Sequence, residues 1–388
     1  MRLGTLAALY GFVAGCAAAL VLALMGVVSR LVWSGPDARW YIFAVILAGG
    51  AIIAALRHLS QGETLDQQLS NLRDPVRHTR RDAAIMAAMA ITAVAFGGAV
   101  GPEAGIIAVV GQLSALISLR LARNAAEARL LSEAGAAGAL GGLYGSPPAG
   151  AVIAQAQPEA PRWQLYLAAL TGLLGFLLVL SRVAPDAGLR IALPPHVPAG
   201  DGTDMIRALL PAALAAVAAS AFVLALPALQ SALARAGGVV AQTLIGTAAF
   251  AALATALPIL RFSGHHELPA MLHWGETAGM APLLGLAVLK ALALAICLAS
   301  GWRGGAVFPL LFIGAAAGAS ALWIAPGLPP TIALVAGMSA ALTAGMGKPL
   351  AAALIALLII GGAAVGPLCM GIGVGWGMAR VLPKTDLH

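Results

Sequence analysis

Glu103 is the residue with the clearest chemical meaning in this chain. It follows the run Gly97-Gly98-Ala99-Val100-Gly101-Pro102 directly, and no other charged residue stands between Ala83 and Leu119. An ionisable carboxyl in so apolar a setting costs at least about 2.5 kcal/mol at the centre of a membrane helix and marks a functional site by default. A Gly-Gly-x-x-x-Pro run stops one helix and starts another, because proline is tolerated in a first turn. The helix start leaves backbone N–H groups at a positive dipole end, which suits an anion. A carboxylate beside that end competes with a soluble anion for the same N–H groups, and protonation weakens its hold, which is the chemistry of a proton-sensitive gate. The bland alternative is that Glu103 caps its own helix at a protein contact.

The same run returns later in the chain. Gly304-Gly305-Ala306-Val307-Phe308-Pro309 differs from the first copy only where Phe308 replaces Gly101. Ala134-Gly135 lies 13 residues before Pro147, and Ala336-Gly337 lies 13 residues before Pro349, each at the end of a run of small residues. Two matches in the same order indicate duplicated halves. Glycine-broken segments in corresponding positions of two halves point to a transport site near the bilayer midplane. The expected halves are 1–183 and 208–382, joined by a linker at 184–207 that carries Leu193-Pro194-Pro195-His196-Val197-Pro198. The competing reading of the glycine runs is tight helix crossing of the small-xxx-small type.

Other reactive side chains form weaker patterns. His265, His266, Glu267 and His273 raise an intramembrane metalloenzyme as a rival class, but a zinc helix needs two histidines four apart, and Pro269 intervenes here. A surface loop and no metal site are expected. Lys290 and Lys348 could attract anions directly; the expectation is that Lys290 pairs or snorkels and that Lys348 sits at a loop end. Cys16, Cys297 and Cys369 stand singly and read as buried, inert thiols. No Walker-type phosphate loop is present, so no nucleotide or other cofactor is expected. A non-catalytic membrane scaffold is a third class of reading.

Membrane helices must position these groups. Of 388 residues, 61% are hydrophobic and 10% charged, against about 25% charged in soluble domains, so water is excluded as the main solvent. The excess of glycine, 47 residues, suits helices that approach backbone to backbone, and no three-residue period suggests collagen. The net charge of +7 would suit nucleic acid, but the arginines are scattered between apolar runs and read instead as cytoplasmic loop residues. Uncharged stretches run from Leu3 to Ser29, Trp40 to Leu56, Ala83 to Pro102, Ala104 to Leu119, Trp163 to Ser181, Ala208 to Ala234 and Ala236 to Leu260. Gly304 to Gly347 and Pro349 to Ala379 are too long and too rich in glycine and proline for single helices, which predicts short, broken or re-entrant segments buried in protein. The first apolar run is too long for a signal peptide and reads as a first span. Arg57, Arg73, Arg77, Arg80 and Arg81 place the loop from Arg57 to Asp82 in the cytoplasm. The N-terminus, two spans earlier, is then cytoplasmic too, in the inner cell membrane.

These motifs resemble the CLC family of chloride channels and proton-coupled chloride antiporters, over roughly Gly4 to Arg380. Residues 97–105 look like the family's Gly-x-x-x-Gly-Arg-Glu-Gly-Pro segment, with Glu103 on the gating glutamate. Residues 305–309 look like Gly-x-Phe-x-Pro, preceded by Lys290 and by Leu298-Ala299-Ser300-Gly301 at the family's spacing. The resemblance implies an all-α polytopic membrane protein built as an inverted-topology repeat, a homodimer with one pore per subunit, and transport of chloride or a related anion, with protons as a second substrate. It places the anion on backbone amides of Gly101, Ala104, Gly305, Ala306, Val307 and Phe308. There are departures. Pro102 replaces the family's arginine and has no N–H. Ser60, Gln61 or Thr64 stands where the pore serine is expected, and a plain polar loop is an equal reading. Gln157 stands at or near the proton glutamate and cannot titrate, with Glu159 close by but out of register. The terminal helix with the pore tyrosine and a cytoplasmic regulatory domain are both expected to be missing. Strict proton exchange is therefore one option, and an uncoupled or pH-gated channel selective for another halide such as fluoride is the other.

Overall fold

The uncharged stretches become helices whose ends fall where charge, glycine or proline intervenes. The computed structural model describes residues 2–60, 80–155, 163–184, 191, 193–199, 201–361 and 364–383. In chain order the helices are α1 (Arg2–Val32), α2 (Arg39–Leu59), α3 (Arg80–Ala95), α4 (Glu103–Leu121), α5 (Ala125–Leu143), α6 (Pro147–Ala154), α7 (Trp163–Val183) and α8 (Thr203–Arg207). They continue as α9 (Leu209–Ala234), α10 (Val239–Ala256), α11 (Leu268–Ala278), α12 (Met280–Ala299), α13 (Val307–Ser320), α14 (Pro330–Met346), α15 (Pro349–Ile359) and α16 (Val365–Val381). Among the described residues the one strand-like pairing is an antiparallel bridge between Gly101 and Gly305.

Among the described residues six segments are long and apolar enough to cross a membrane: α1, α2, α7, α8 with α9, α10 and α12. The two long uncharged stretches break as their composition requires. The first gives α13 and α14, separated by a 3-10 turn at Ala321–Trp323 and by Gly327 with φ 85°. The second gives α15 and α16, parted at Gly361 with φ 86°. The 14 residues of α13 rise only about 21 Å, short of a hydrocarbon core of about 30 Å. Every one of them is buried, so α13 is surrounded by protein rather than lipid.

The described residues gather into two compact units. One comprises Met1–Leu31, Leu56–Ala95 and Pro102–Leu189, the other Val32–Ala55, Phe96–Gly101 and Arg190–His388. Within the first, α1, α5 and α7 touch backbone to backbone: a Cβ on Gly15 would overlap the Gly172 carbonyl, and one on Gly172 would overlap the main chain of Gly138. Within the second, α13 and α14 meet in the same way, Gly337 against the carbonyl of Gly314. Lipid gives apolar helices no reason to associate, so close van der Waals contact between small residues has to hold them. Burial of all three cysteines is expected, but Cys369 is exposed and Cys16 only partly buried. Cys369 falls off the stripe Leu368, Gly371 and Gly375 that α16 buries.

Candidate anion site

The second glycine motif is placed by the end of α12. Ser300 Oγ donates to the Ile296 carbonyl at 2.7 Å, Gly301 turns left-handed at φ 88°, and the Trp302 N–H returns to the Cys297 carbonyl at 2.9 Å. Trp302 is fully buried; its Nε1 donates to Thr247 Oγ1 of α10 at 3.0 Å, and its ring meets Phe250 edge-on. From this anchor Gly304 and Gly305 lead into α13, whose N-cap is Ala306 with no side-chain cap. The first bond of the helix runs from the Leu310 N–H to the Ala306 carbonyl at 2.9 Å. N–H groups ahead of it have no acceptor inside the helix, and Pro309 contributes none. Half-buried Ala306 and buried Val307 and Phe308 thus form a positive helix end inside protein.

The first motif is held differently. Gly97, at φ 84°, accepts the Phe262 N–H on its carbonyl at 3.0 Å. Four residues on, the Gly101 N–H donates to the Gly305 carbonyl at 2.8 Å and the Gly305 N–H donates to the Gly101 carbonyl at 3.0 Å. Both residues are expected to offer their amides to an anion, and instead they exchange them with each other, as an antiparallel pair does. Their role is to brace. A Cβ on Gly304 would collide with the Val100 side chain and come within 2.9 Å of the Gly101 carbonyl, so the pair leaves room only for hydrogen.

In the other unit Glu103 opens α4 behind Pro102, which sits at φ −76° and ψ −6°. Its carboxyl is buried, at 3% exposure. Tyr144, also buried, ends α5 and interacts electrostatically with Glu103. The break after it is firmly capped: Ser146 Oγ accepts the Ala149 N–H at the start of α6 at 3.3 Å. A second carboxyl, Glu133, is buried in the middle of α5. Sequence reasoning overlooks both. Glu133 is hidden among Glu127 and Arg129 in a stretch that reads as polar, and Tyr144 gives itself away only by its place against the Gly145-Ser146-Pro147 break.

The voltage gated chloride channel family matches residues 56–380 of this chain. The chain belongs to that family, the CLC proteins. It is therefore a multi-pass integral membrane protein of anion transport and not an enzyme. YfeO of Escherichia fergusonii, named provisionally as an ion-transport protein, is 28% identical over 331 residues, covering 81% of this chain and 77% of its own. A slow cyanobacterial Cl⁻/H⁺ antiporter superposes with a TM-score of 0.80 at 17% identity, covering 100% of this chain and 96% of its own. A CLC-type fluoride/proton antiporter superposes with 0.78 at 18% identity, covering 100% and 97%. The CLC all-α membrane fold is thus shared at low sequence identity.

The remaining residues expected at the site stand as follows. Ser60 closes α2 with its Oγ donating to the Arg57 carbonyl at 3.4 Å, while Gln61, Thr64, Gln157 and Glu159 lie outside the described residues. Lys348 is exposed at the break between α14 and α15, as a loop-end residue should be. Lys290 neither pairs with an acid nor snorkels: it is fully buried among backbone carbonyls. His266 is exposed, but the His265 ring packs against Phe308, centroids 5.3 Å apart.

Proposed function

We propose that this CLC protein carries chloride or another small halide across the inner cell membrane through main-chain N–H groups, with Glu103 as the gate. The observation that carries this reading is the buried carboxyl at the first residue of α4, immediately after the glycine motif, in a chain of this family. In one unit the end of α13, from Ala306 to Phe308, supplies amides, and Gly101 with Gly305 hold the motif segments in register; in the other, Ala104 offers its own amide at the start of α4. A carboxylate at Glu103 competes with the anion and gives way when protonated, which couples anion passage to protons. Both antiporters of like fold support coupling, and the fluoride/proton antiporter keeps fluoride among the candidate anions. Ser60, Gln61 or Thr64 is the candidate substitute for the pore serine, with a plain polar loop as the equal alternative. The protein works as a homodimer in the lipid bilayer, one pore per subunit, with cytoplasmic N-termini.

A second reading, a pH-gated channel without strict exchange, is favoured by one residue. Gln157 stands at or near the place where the resemblance puts the proton glutamate, and an amide does not titrate. Reversal potentials in bilayers under crossed anion and proton gradients separate the two: a potential at the anion equilibrium value means a channel, and a displaced one gives the coupling ratio. For the gate itself, Glu103→Gln protein in vesicles should lose the pH dependence of anion flux. Flux that keeps its wild-type pH profile would remove Glu103 from the mechanism.

A further inference from the structure

Lys290 lies halfway along α12 with no part of it exposed. A buried ammonium is tolerated when each of its protons has an acceptor. Here Nζ donates to the carbonyls of Leu260 at 3.1 Å, Arg261 at 3.1 Å and Phe262 at 2.8 Å. An ammonium has three protons, so none is left to touch an anion. The three carbonyls are consecutive and belong to a tight turn. It begins with the 3-10 helix Pro258–Leu260 and ends at Phe262, the one non-glycine residue with positive φ (57°) among those described. A left-handed aromatic residue is disfavoured on its own and persists where its surroundings determine it. Three carbonyls converging on one cation are such surroundings.

The turn leads straight to the glycine motifs. The Phe262 N–H holds the Gly97 carbonyl, the same segment ends at Gly101, and Gly101 is bonded twice to Gly305, two residues before α13 begins. The covalent chain closes the circuit, running from Lys290 along α12 through the Trp302 anchor back to Gly305. We propose that Lys290 is a positioning residue for the anion-binding end of α13. Its ammonium fixes the turn at 260–262, and through Gly97 and Gly101 it sets where Gly305 and the amides after it lie. The proposal rests on the reading that Ala306, Val307 and Phe308 hold the anion.

The test is uptake of chloride and fluoride into vesicles, with half-saturating concentration and maximal rate read separately for wild type, Lys290→Arg, Lys290→Gln and Arg235→Gln. Lys290→Gln should raise the half-saturating concentration about tenfold, with the maximal rate changed by less than about twofold. Lys290→Arg keeps the charge but cannot converge three N–H bonds from one nitrogen, and should raise it roughly threefold. Arg235→Gln removes an exposed charge just after α9, away from the turn, and should match wild type. Wild-type affinity in both Lys290 variants, or in Lys290→Arg alone, overturns the proposal, the latter because charge rather than position would then be acting. Should neither variant fold, hydrogen exchange on the wild-type protein decides. Saturating anion should slow exchange at 258–264 together with 304–308, and protection confined to 304–308 overturns it. Wild-type vesicles that take up neither anion would instead defeat the reading on which the proposal rests.

Discussion

The two copies of the glycine motif are the same peptide in all but one residue, yet they build different structures. In the first, Gly97 to Gly101 lie outside any helix and α4 begins only at Glu103; in the second, α13 already begins at Val307, the counterpart of Val100. The differing residue accounts for this. Glycine in a helix interior costs about 1 kcal/mol relative to alanine, so Gly101 gives up little by pairing with Gly305 instead. Phe308 is buried against His265, which secures the helix from its second residue. One break therefore presents a carboxylate and the other a helix start without an acidic side chain. The shared motif sets where helices stop, and the single unlike residue sets what each stop offers.

Making the copies identical should have the largest effect. Phe308→Gly converts the second copy into the first, empties a buried ring site and weakens the first turn of α13, for a loss of about 3–5 kcal/mol. Thermal unfolding in detergent measures it, and a loss near 1 kcal/mol would mean that Phe308 does not define the second copy. Gly97→Ala attacks the first copy alone. A Cβ there meets Trp33 Cζ2 at 2.8 Å and must also take φ 84°, so a cost of about 1–2 kcal/mol is expected, with anion flux reduced by the shift of the Gly97 carbonyl. An unaltered melting temperature would show the segment to be looser than its hydrogen bonds suggest. The smallest effect belongs to a polar control remote in sequence from both copies. The Arg123 N–H at 2.9 Å and then Arg2 at 3.1 Å hold the Glu127 carboxyl below the usual carboxylate range. A lowered carboxyl contributes stability above its ordinary value and loses it as pH falls through the folded one. Glu127→Gln should therefore melt slightly lower than wild type at neutral pH, and the gap should close in acid. A gap that persists unchanged at low pH would rule out the charge as its cause.

Most of the architecture was legible because lipid imposes a simple rule: uncharged stretches must be helical, and glycine or proline breaks must be buried. The split of Gly304 to Gly347 into α13 and α14 follows from that rule alone. Glu103 was legible for the same reason, as a lone charge in an uncharged stretch. Lys290 was equally visible, but its use was not, since its three acceptors lie about 30 positions away in a turn without sequence signature. The amides of Gly101 and Gly305 meet each other's carbonyls, a role that sequence does not separate from anion binding, because an amide donor looks the same whether it meets an anion or a carbonyl. Tyr144 depends on the α4 and α5 ends converging, which no local pattern encodes.

The complete burial of α13 has an electrical consequence. Salt weakens charges that counter-ions can reach, over about 8 Å at physiological strength, but a helix end enclosed by protein is screened much less. Adding an inert electrolyte should blunt the pull of the exposed loop arginines and leave the pull of this helix end almost intact. On the proposed reading, the preference among anions there turns on how readily each sheds its hydration shell.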